Sequence, residues 1–197
     1  PTPREIGCDV FVSGPRKIVV FDLNDTLLFS RREDGYILSP ADAIEADGMA
    51  ELLWTLRLKS VQVAVATNQP LGRFGYDEER INALMSQLGD ILVRHRLGTS
   101  RIPFFVCSHD RVDDCDCRKP KPGLLERVRS EFGEAEMYMV GDKWSDVQAG
   151  HAAGAKTILV GEFGYRQKGV TPMPEGVPDP DIWVPDLRTL RRIFVGI

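Results

Sequence analysis

KIVVFDLNDTLL, residues 17–28, decides how the rest of the chain is read. After Lys17 come four apolar residues, three of them β-branched, and the run stops at Asp22. A short continuous apolar run bounded by a polar turn fits a strand buried on both faces, as in a parallel sheet. Asp22 and Asp25 then stand at the carboxyl end of that strand, which is where open α/β sheets bind ligands. Between them sits Asn24, an amide among carboxylates.

Working outward, strand-like and helix-like segments alternate. Residues 48–60 carry apolar side chains at Met49, Leu52, Leu53 and Leu56, the spacing of a helix lying on a sheet. Residues 61–67 are strand-like. Residues 77–97 form an amphipathic helix with Asp77 as its N-cap. A third strand is expected over 102–108, a helix with proline in its first turn over 122–132, a fourth strand over 137–142 and a short helix over 145–154 closing on glycine. In that last helix Ser145 is a candidate cap. Further strands follow at 156–161 and 181–184, with a final helix over 186–194; the Pro/Gly-rich stretch 169–181 is a connecting loop. Strands alternating with helices imply a three-layer, open, mostly parallel Rossmann-like sheet.

With 197 residues, 43% hydrophobic, the chain is expected to form one domain over 1–197. A net charge of −4 argues against broad phosphate neutralisation along nucleic acid, and a single-strand-binding strip of aromatic and basic residues is not evident. A small anion held by a few local cations is compatible with it. The segment at 1–10 has neither a basic n-region nor an apolar h-region, and no 18-residue apolar run occurs. The expectation is a soluble cytoplasmic protein, a monomer or small homo-oligomer, without membrane or nucleic-acid partners. The start at Pro1, without Met, is compatible with trimming.

In a parallel sheet the strand ends bring Asp22, Thr67 with Asn68, Lys119 and Asp142 to one rim. Two carboxylates there can hold a hard divalent cation such as Mg²⁺, which accepts phosphate oxygens. A lysine and a hydroxyl can neutralise a transferring phosphoryl group, and a free carboxylate can attack it. Each piece alone has a plain structural alternative, as a turn, a cap or a loop. Taken in order, VVFDLNDTLL, VATNQ, RKPKP and MVGDKWSD resemble the four motifs of the haloacid dehalogenase superfamily over about residues 17–161. The resemblance implies Asp22 as nucleophile, Thr26 closing the first turn, Thr67 and Lys119 on the phosphoryl oxygens, and Asp142 on Mg²⁺. Mg²⁺ would also meet Asp22 and the Asn24 carbonyl, and Asp146 would support Lys119 or a metal-bound water.

Cys107, His109, Cys115 and Cys117 form a C-x-H-x5-C-x-C pattern. Three thiolates and an imidazole fill a tetrahedral zinc shell without an open position, a structural site that would order the loop 107–117 and hold Arg118 and Lys119 at the rim. The alternative is a core cysteine beside free or oxidised thiols. Cys8 is an ordinary thiol. The loop together with CRKPKPG is similar to the branch containing the heptose bisphosphate phosphatases and the histidinol-phosphate phosphatase domains, which carry no large cap domain. TNQ, GDKWSD and KPG resemble the heptose enzymes, and the compact x5 spacing the histidinol enzymes. The heptose resemblance implies that Asn68, Arg118 and Lys143 contact a phosphorylated metabolite. Arg31, Arg32 and Arg73 are either rim residues for a second anionic group or solvated surface residues.

In the phosphatases of this superfamily the position of Asn24 is normally an aspartate that protonates the leaving oxygen and then deprotonates the attacking water. An amide has no proton to exchange near neutral pH. Three explanations stay open: an engineered change, a natural enzyme with altered chemistry, or a natural phosphometabolite-binding protein without turnover. The expected function is a Mg²⁺-dependent phosphatase of a small sugar phosphate or related metabolite, with histidinol phosphate as an alternative substrate.

Overall fold

The computed structural model describes residues 16–33, 37, 39–71, 77–97, 102–161 and 175–196. Cys8, Arg73 and the first part of the 169–181 loop lie outside the described residues. Among the described residues, eight strands run in chain order: β1 Lys17–Phe21, β2 Leu28–Ser30, β3 Ala43–Glu45, β4 Gln62–Asn68, β5 Phe104–Cys107, β6 Glu136–Gly141, β7 Lys156–Val160 and β8 Ile182–Val184. The helices are α1 Met49–Leu58, α2 Glu78–Arg94, α3 Gly123–Phe132, α4 Trp144–Ala152 and α5 Leu187–Gly196. Six strands form one sheet in the order β5-β4-β1-β6-β7-β8, and every pairing in it is parallel.

Alternation along β1 builds the three layers, because successive side chains of a strand point to opposite faces. Val19 and Phe21 face a core with Met49, Leu52, Leu53 and Leu56 of α1, Leu84 and Leu88 of α2, and Leu187, Leu190 and Phe194 of α5. Ile18 and Val20 face the second core with Leu124, Leu125 and Val128 of α3 and Ala149 of α4. Both faces of β1 are therefore dry, which is why its sequence reads as one apolar run. The residues expected to bury α1 are buried, with Thr55 added to them. Asp77 caps α2 as expected, accepting from Arg80 N at 2.8 Å.

Two local features depart from expectation. Residues Leu28–Ser30 pair antiparallel with Ala43–Glu45 in a small separate sheet beside the rim, with Phe29 opposite Ile44. Strands of three residues are too short to show a period. In addition, α4 starts at Trp144 and its N-cap position is Lys143, so Ser145 lies inside the first turn instead of capping it. The carboxylate of Asp146 takes the Lys143 amide, accepting from N at 3.1 Å, and removes the need for a serine cap.

Candidate active site

β1, β4 and β6 are adjacent and parallel, so their carboxyl ends deliver Asp22, Thr67 with Asn68, and Asp142 side by side. The ladder extends one step past β1, where Asp22 N donates to Val140 O at 2.8 Å and fixes the backbone of the acidic turn. Lys119 enters from the loop that follows β5. Its ammonium donates to Asp22 Oδ1 at 2.8 Å and to Ala66 O at 2.7 Å, and it meets Asp146 Oδ1 at 2.6 Å. All three charged residues are buried: Asp22 is 5% exposed, Lys119 3% and Asp146 1%. One lysine thus joins the first strand end to the start of α4 across the interior.

The environment sets the charges. Burial pushes Asp22 up, but Lys119 and then Lys143 outweigh it and hold the carboxyl below its ordinary value. Burial likewise opposes the charged form of Lys119, and Asp146 and Asp22 overcome it, so the ammonium is held above its ordinary value. Asp146 is raised, by burial first and despite Lys119. Burial, aided by neighbouring Asp22, Asp146 and Asp25, pushes Asp142 up to about 7 against the pull of Lys143.

Lys143 spans the mouth of this cluster, 3.2 Å from Asp142 Oδ2 and 3.4 Å from Asp25 Oδ2. Thr26 Oγ1 donates to Asp142 Oδ1 at 3.5 Å. Four carboxylates, Asp22, Asp25, Asp142 and Asp146, therefore meet two ammonium groups, Lys119 and Lys143. The imbalance of two negative charges, with ligand oxygens of Asp22, Asp142 and Asp146 within 4.8 Å of one another, suits one hard divalent cation.

Other residues singled out from the sequence lie close by but are turned in particular directions. Asn68 makes a two-bond clasp on the backbone of Lys119, donating from Nδ2 to its carbonyl at 3.0 Å and accepting from its amide at 3.1 Å. Arg118 donates from Nη1 to His109 O at 2.9 Å and so lies along the cysteine loop. Arg31 and Arg32 are exposed just past β2. Asp25 takes a left-handed backbone, φ 61°, and its carboxylate faces Lys143.

Gln69 had no assigned role in the sequence, and it is 2% exposed. Its Nε2 donates to Thr67 Oγ1 at 3.0 Å and to Asn24 Oδ1 at 2.5 Å. The side chain at position 24 is therefore held from β4, by a residue 45 positions away. Its sequence signals are its place as the last residue of the TNQ stretch and a polar side chain directly after a buried strand end.

The cysteine loop closes on itself. Cys107 Sγ lies 3.7 Å from both Cys115 Sγ and His109 Nδ1, and Cys117 Sγ lies 3.5 Å from Cys115 Sγ and 3.3 Å from His109 Nδ1. Tetrahedral zinc with Zn–S bonds of about 2.3 Å implies S···S edges of roughly 3.8 Å, so the four donors fit a closed zinc shell. Burial pushes the Cys107 thiol up to about 12, so a thiolate there calls for a cation.

The family model described as "HAD-hyrolase-like" matches residues 116–190. The D-glycero-β-D-manno-heptose-1,7-bisphosphate 7-phosphatase of Pseudomonas aeruginosa is 31% identical over 165 residues, 82% of this chain and 90% of that protein. The chain belongs to the heptose bisphosphate phosphatase family of haloacid dehalogenase-like hydrolases. The corresponding enzyme of Pseudomonas putida is 28% identical over 91% of this chain and 99% of that protein. In fold, this family member resembles the crystal structure of D,D-heptose 1,7-bisphosphate phosphatase from B. bronchiseptica complexed with magnesium and phosphate. The TM-score is 0.76 at 24% identity, over 91% of this chain and 98% of that one. The family is one of phosphoric monoester hydrolases. Among the described residues no helix is long and apolar enough to cross a membrane.

Proposed function

We propose that this chain is a phosphatase of a small phosphorylated sugar, a heptose bisphosphate or close relative, whose turnover is limited at Asn24. The observation that carries the reading is the buried Asp22–Lys119–Asp146 chain beside Asp142 at adjacent strand ends. Asp22, kept ionised by Lys119, attacks phosphorus in line and forms an aspartyl-phosphate. Lys119 and the Thr67 hydroxyl neutralise charge on the equatorial oxygens. Asp146 positions Lys119, and Asn68 fixes its backbone. Lys143 and Arg118 supply positive charge for the remainder of the substrate. Asp22, Asp142 and the Asn24 carbonyl would hold Mg²⁺, which polarises a phosphoryl oxygen when bound. Cys107, His109, Cys115 and Cys117 would hold zinc, which would keep the Lys119 loop in place.

The test is phosphate release with Mg²⁺ from sugar bisphosphates, sugar monophosphates and histidinol phosphate, comparing this chain with Asn24→Asp and Asp22→Ala. A gain of roughly 10² to 10⁴ in Asn24→Asp on one substrate identifies that substrate. Release that survives in Asp22→Ala would sink the reading. Asn24 itself favours a second reading, a phosphometabolite-binding protein that uses the same rim without turnover. Saturable ligand binding with no release from Asn24→Asp would select it.

A further inference from the structure

Asp25 and Lys143 meet across the mouth of the site, 118 positions apart in the chain. Asp25 lies in the turn after β1, and that turn closes on its own backbone. Asp25 N donates to Leu28 O at 2.8 Å, and the Leu27 and Leu28 amides both donate to Leu23 O, at 3.0 and 2.9 Å. The ordinary use of an aspartate side chain in a turn is to bond the turn's own backbone. Here the carboxylate reaches instead to the Lys143 ammonium, 3.4 Å from Oδ2. The left-handed backbone at Asp25, φ 61°, is one that residues with a side chain rarely adopt. An unfavourable backbone that aims a charge at a distant partner points to a use for that contact.

Lys143 divides its ammonium between two carboxylates. Its backbone is fixed at the start of α4, where Asp146 Oδ2 accepts from its amide at 3.1 Å. Its Nζ lies 3.3 Å from Asp142 Oδ1 and 3.2 Å from Asp142 Oδ2, as well as against Asp25. Asp142 has a competing use, because it belongs with Asp22 and Asp146 to the trio whose ligand oxygens lie within 4.8 Å of one another and suit a divalent cation. An ammonium lying across both oxygens of Asp142 and a cation on the same carboxylate repel each other. Asp25 stands outside that trio, so it can hold the ammonium without giving up a metal ligand. The Lys143 and Asp25 side chains are 34% and 27% exposed, against 3% for Asp142, so an anion arriving from solvent meets the Lys143–Asp25 pair before the buried carboxylate.

We propose that Asp25 is a positioning residue: its carboxylate draws the Lys143 ammonium off Asp142, which leaves Asp142 for the divalent cation and Lys143 for the anionic remainder of the substrate. The inference rests on the phosphatase reading for its assignment of Mg²⁺ and substrate to this rim. Asp25→Asn removes the charge while keeping the shape and a residue type that tolerates left-handed backbone. Lys143 then keeps Asp142 as its carboxylate partner, and Mg²⁺ has to displace it.

The experiment titrates Mg²⁺ into the full chain by calorimetry, comparing the unmutated chain, Asp25→Asn, Lys143→Met and the double variant. Asp25→Asn should weaken Mg²⁺ binding about fivefold while Lys143 is present, the scale of a partly exposed ion pair. It should have little effect in the Lys143→Met background, where no ammonium is left to misplace. Simple loss of a negative charge would weaken Mg²⁺ by the same factor in both backgrounds. Asp25→Gly, which suits φ 61° better than aspartate does, should reproduce the Asp25→Asn result and so separate the lost carboxylate from damage to the turn. With a sugar phosphate hydrolysed by Asn24→Asp, adding Asp25→Asn should raise KM at saturating Mg²⁺ and leave kcat little changed, because the reacting atoms are untouched. An equal loss of Mg²⁺ affinity in both backgrounds, or none in either, while Asn24→Asp hydrolyses a sugar phosphate, overturns this inference and leaves the phosphatase reading intact. A change confined to kcat does the same. A loss seen only with Lys143 present, together with no sugar-phosphate release from Asn24→Asp, supports the role of Asp25 and overturns that reading. No Mg²⁺ binding by any form overturns both.

Discussion

Gly141 and Asp146 are in such close contact that a Cβ on residue 141 would lie 2.3 Å from Asp146 Oδ2 and 2.5 Å from its Cβ. The glycine is the last residue of β6, and the absence of its side chain lets α4 bring a buried carboxylate against the strand end, where it meets Lys119. Backbone conformation is not the reason, since Gly141 is not among the residues with positive φ. The requirement is space.

Gly141→Ala should therefore act on the site through Asp146. The added methyl has no soft neighbour to displace, because Asp146 is pinned by Lys119 and by the Lys143 amide. Overpacking of this kind costs about 1–3 kcal/mol. Denaturant unfolding should show that loss, and phosphate release by Gly141→Ala in the Asn24→Asp background should drop with it. Unchanged stability together with unchanged release would mean that Asp146 can move without consequence.

Lys119→Met should be more damaging than loss of a surface charge. It leaves Asp22 and Asp146 buried without their cation, and breaking a buried pair costs about 3–5 kcal/mol. The sign with pH follows from the shifts. Asp22 is held below its ordinary value, so its share of stability is present above the unfolded carboxyl range and is lost as pH falls through the folded value. Lys119 is raised, so its share is present below the ordinary lysine value and is lost as pH rises past the folded one. The deficit of Lys119→Met should hence be large at neutral pH and narrow in acid, as urea titrations at several pH values would show.

Much of this arrangement was legible because its signals are local. The apolar run of β1, the helical spacing of α1 and α2, and the four donors between Cys107 and Cys117 each lie within one short stretch. The parallel order then forces Asp22, Thr67 and Asp142 onto one rim. What was not legible depends on partners distant in sequence or on very short elements. The clasp of Asn68 on Lys119 spans 51 positions, and that of Gln69 on Asn24 spans 45. The β2–β3 pair has three residues a side, and the capping role of Asp146 at Lys143 is invisible to a search for serine or threonine.

Gln69→Leu tests the hold on position 24. In the Asn24→Asp background Gln69 would donate to a carboxylate, and removing one such bond costs on the order of 1 kcal/mol. The expected result is a fall of about five- to tenfold in kcat with KM little changed, since the residue is 2% exposed and orients another side chain. A change confined to KM would place Gln69 against substrate instead.

Asp142 gives the metal a pH signature. With its folded value raised to about 7 by burial, the metal-free protein binds this proton more tightly than the unfolded chain does. Its contribution to stability is therefore greatest below the ordinary carboxyl range and declines as pH rises toward 7. A divalent cation needs the ionised form, so the rise in Tm on adding Mg²⁺ should be small near pH 5 and larger near pH 8. Asp142→Asn should remove both the rise and its pH dependence. Equal Mg²⁺ stabilisation at both pH values would place the cation elsewhere.

Zinc removal should disarm the rim without touching it. Cys107 is the last residue of β5, and Cys117 precedes Arg118 and Lys119 directly, so zinc on the four candidate ligands would fix the segment that delivers the buried ammonium. The chain should contain one zinc per molecule by elemental analysis, consistent with the donor spacing. Stripping it with a chelator, or replacing Cys115 by Ser, frees the loop, and the burial of Lys119 between Asp22 and Asp146 then has no covalent anchor on that side. Protease cleavage within 107–117 should accelerate, and the Mg²⁺-induced rise in Tm should shrink because Asp22 loses its partner. Restoring zinc to the chelated protein should recover both, whereas Cys115→Ser should not respond. A chelated protein that keeps full Mg²⁺ stabilisation would show that Lys119 is held by Asn68 and the two carboxylates alone.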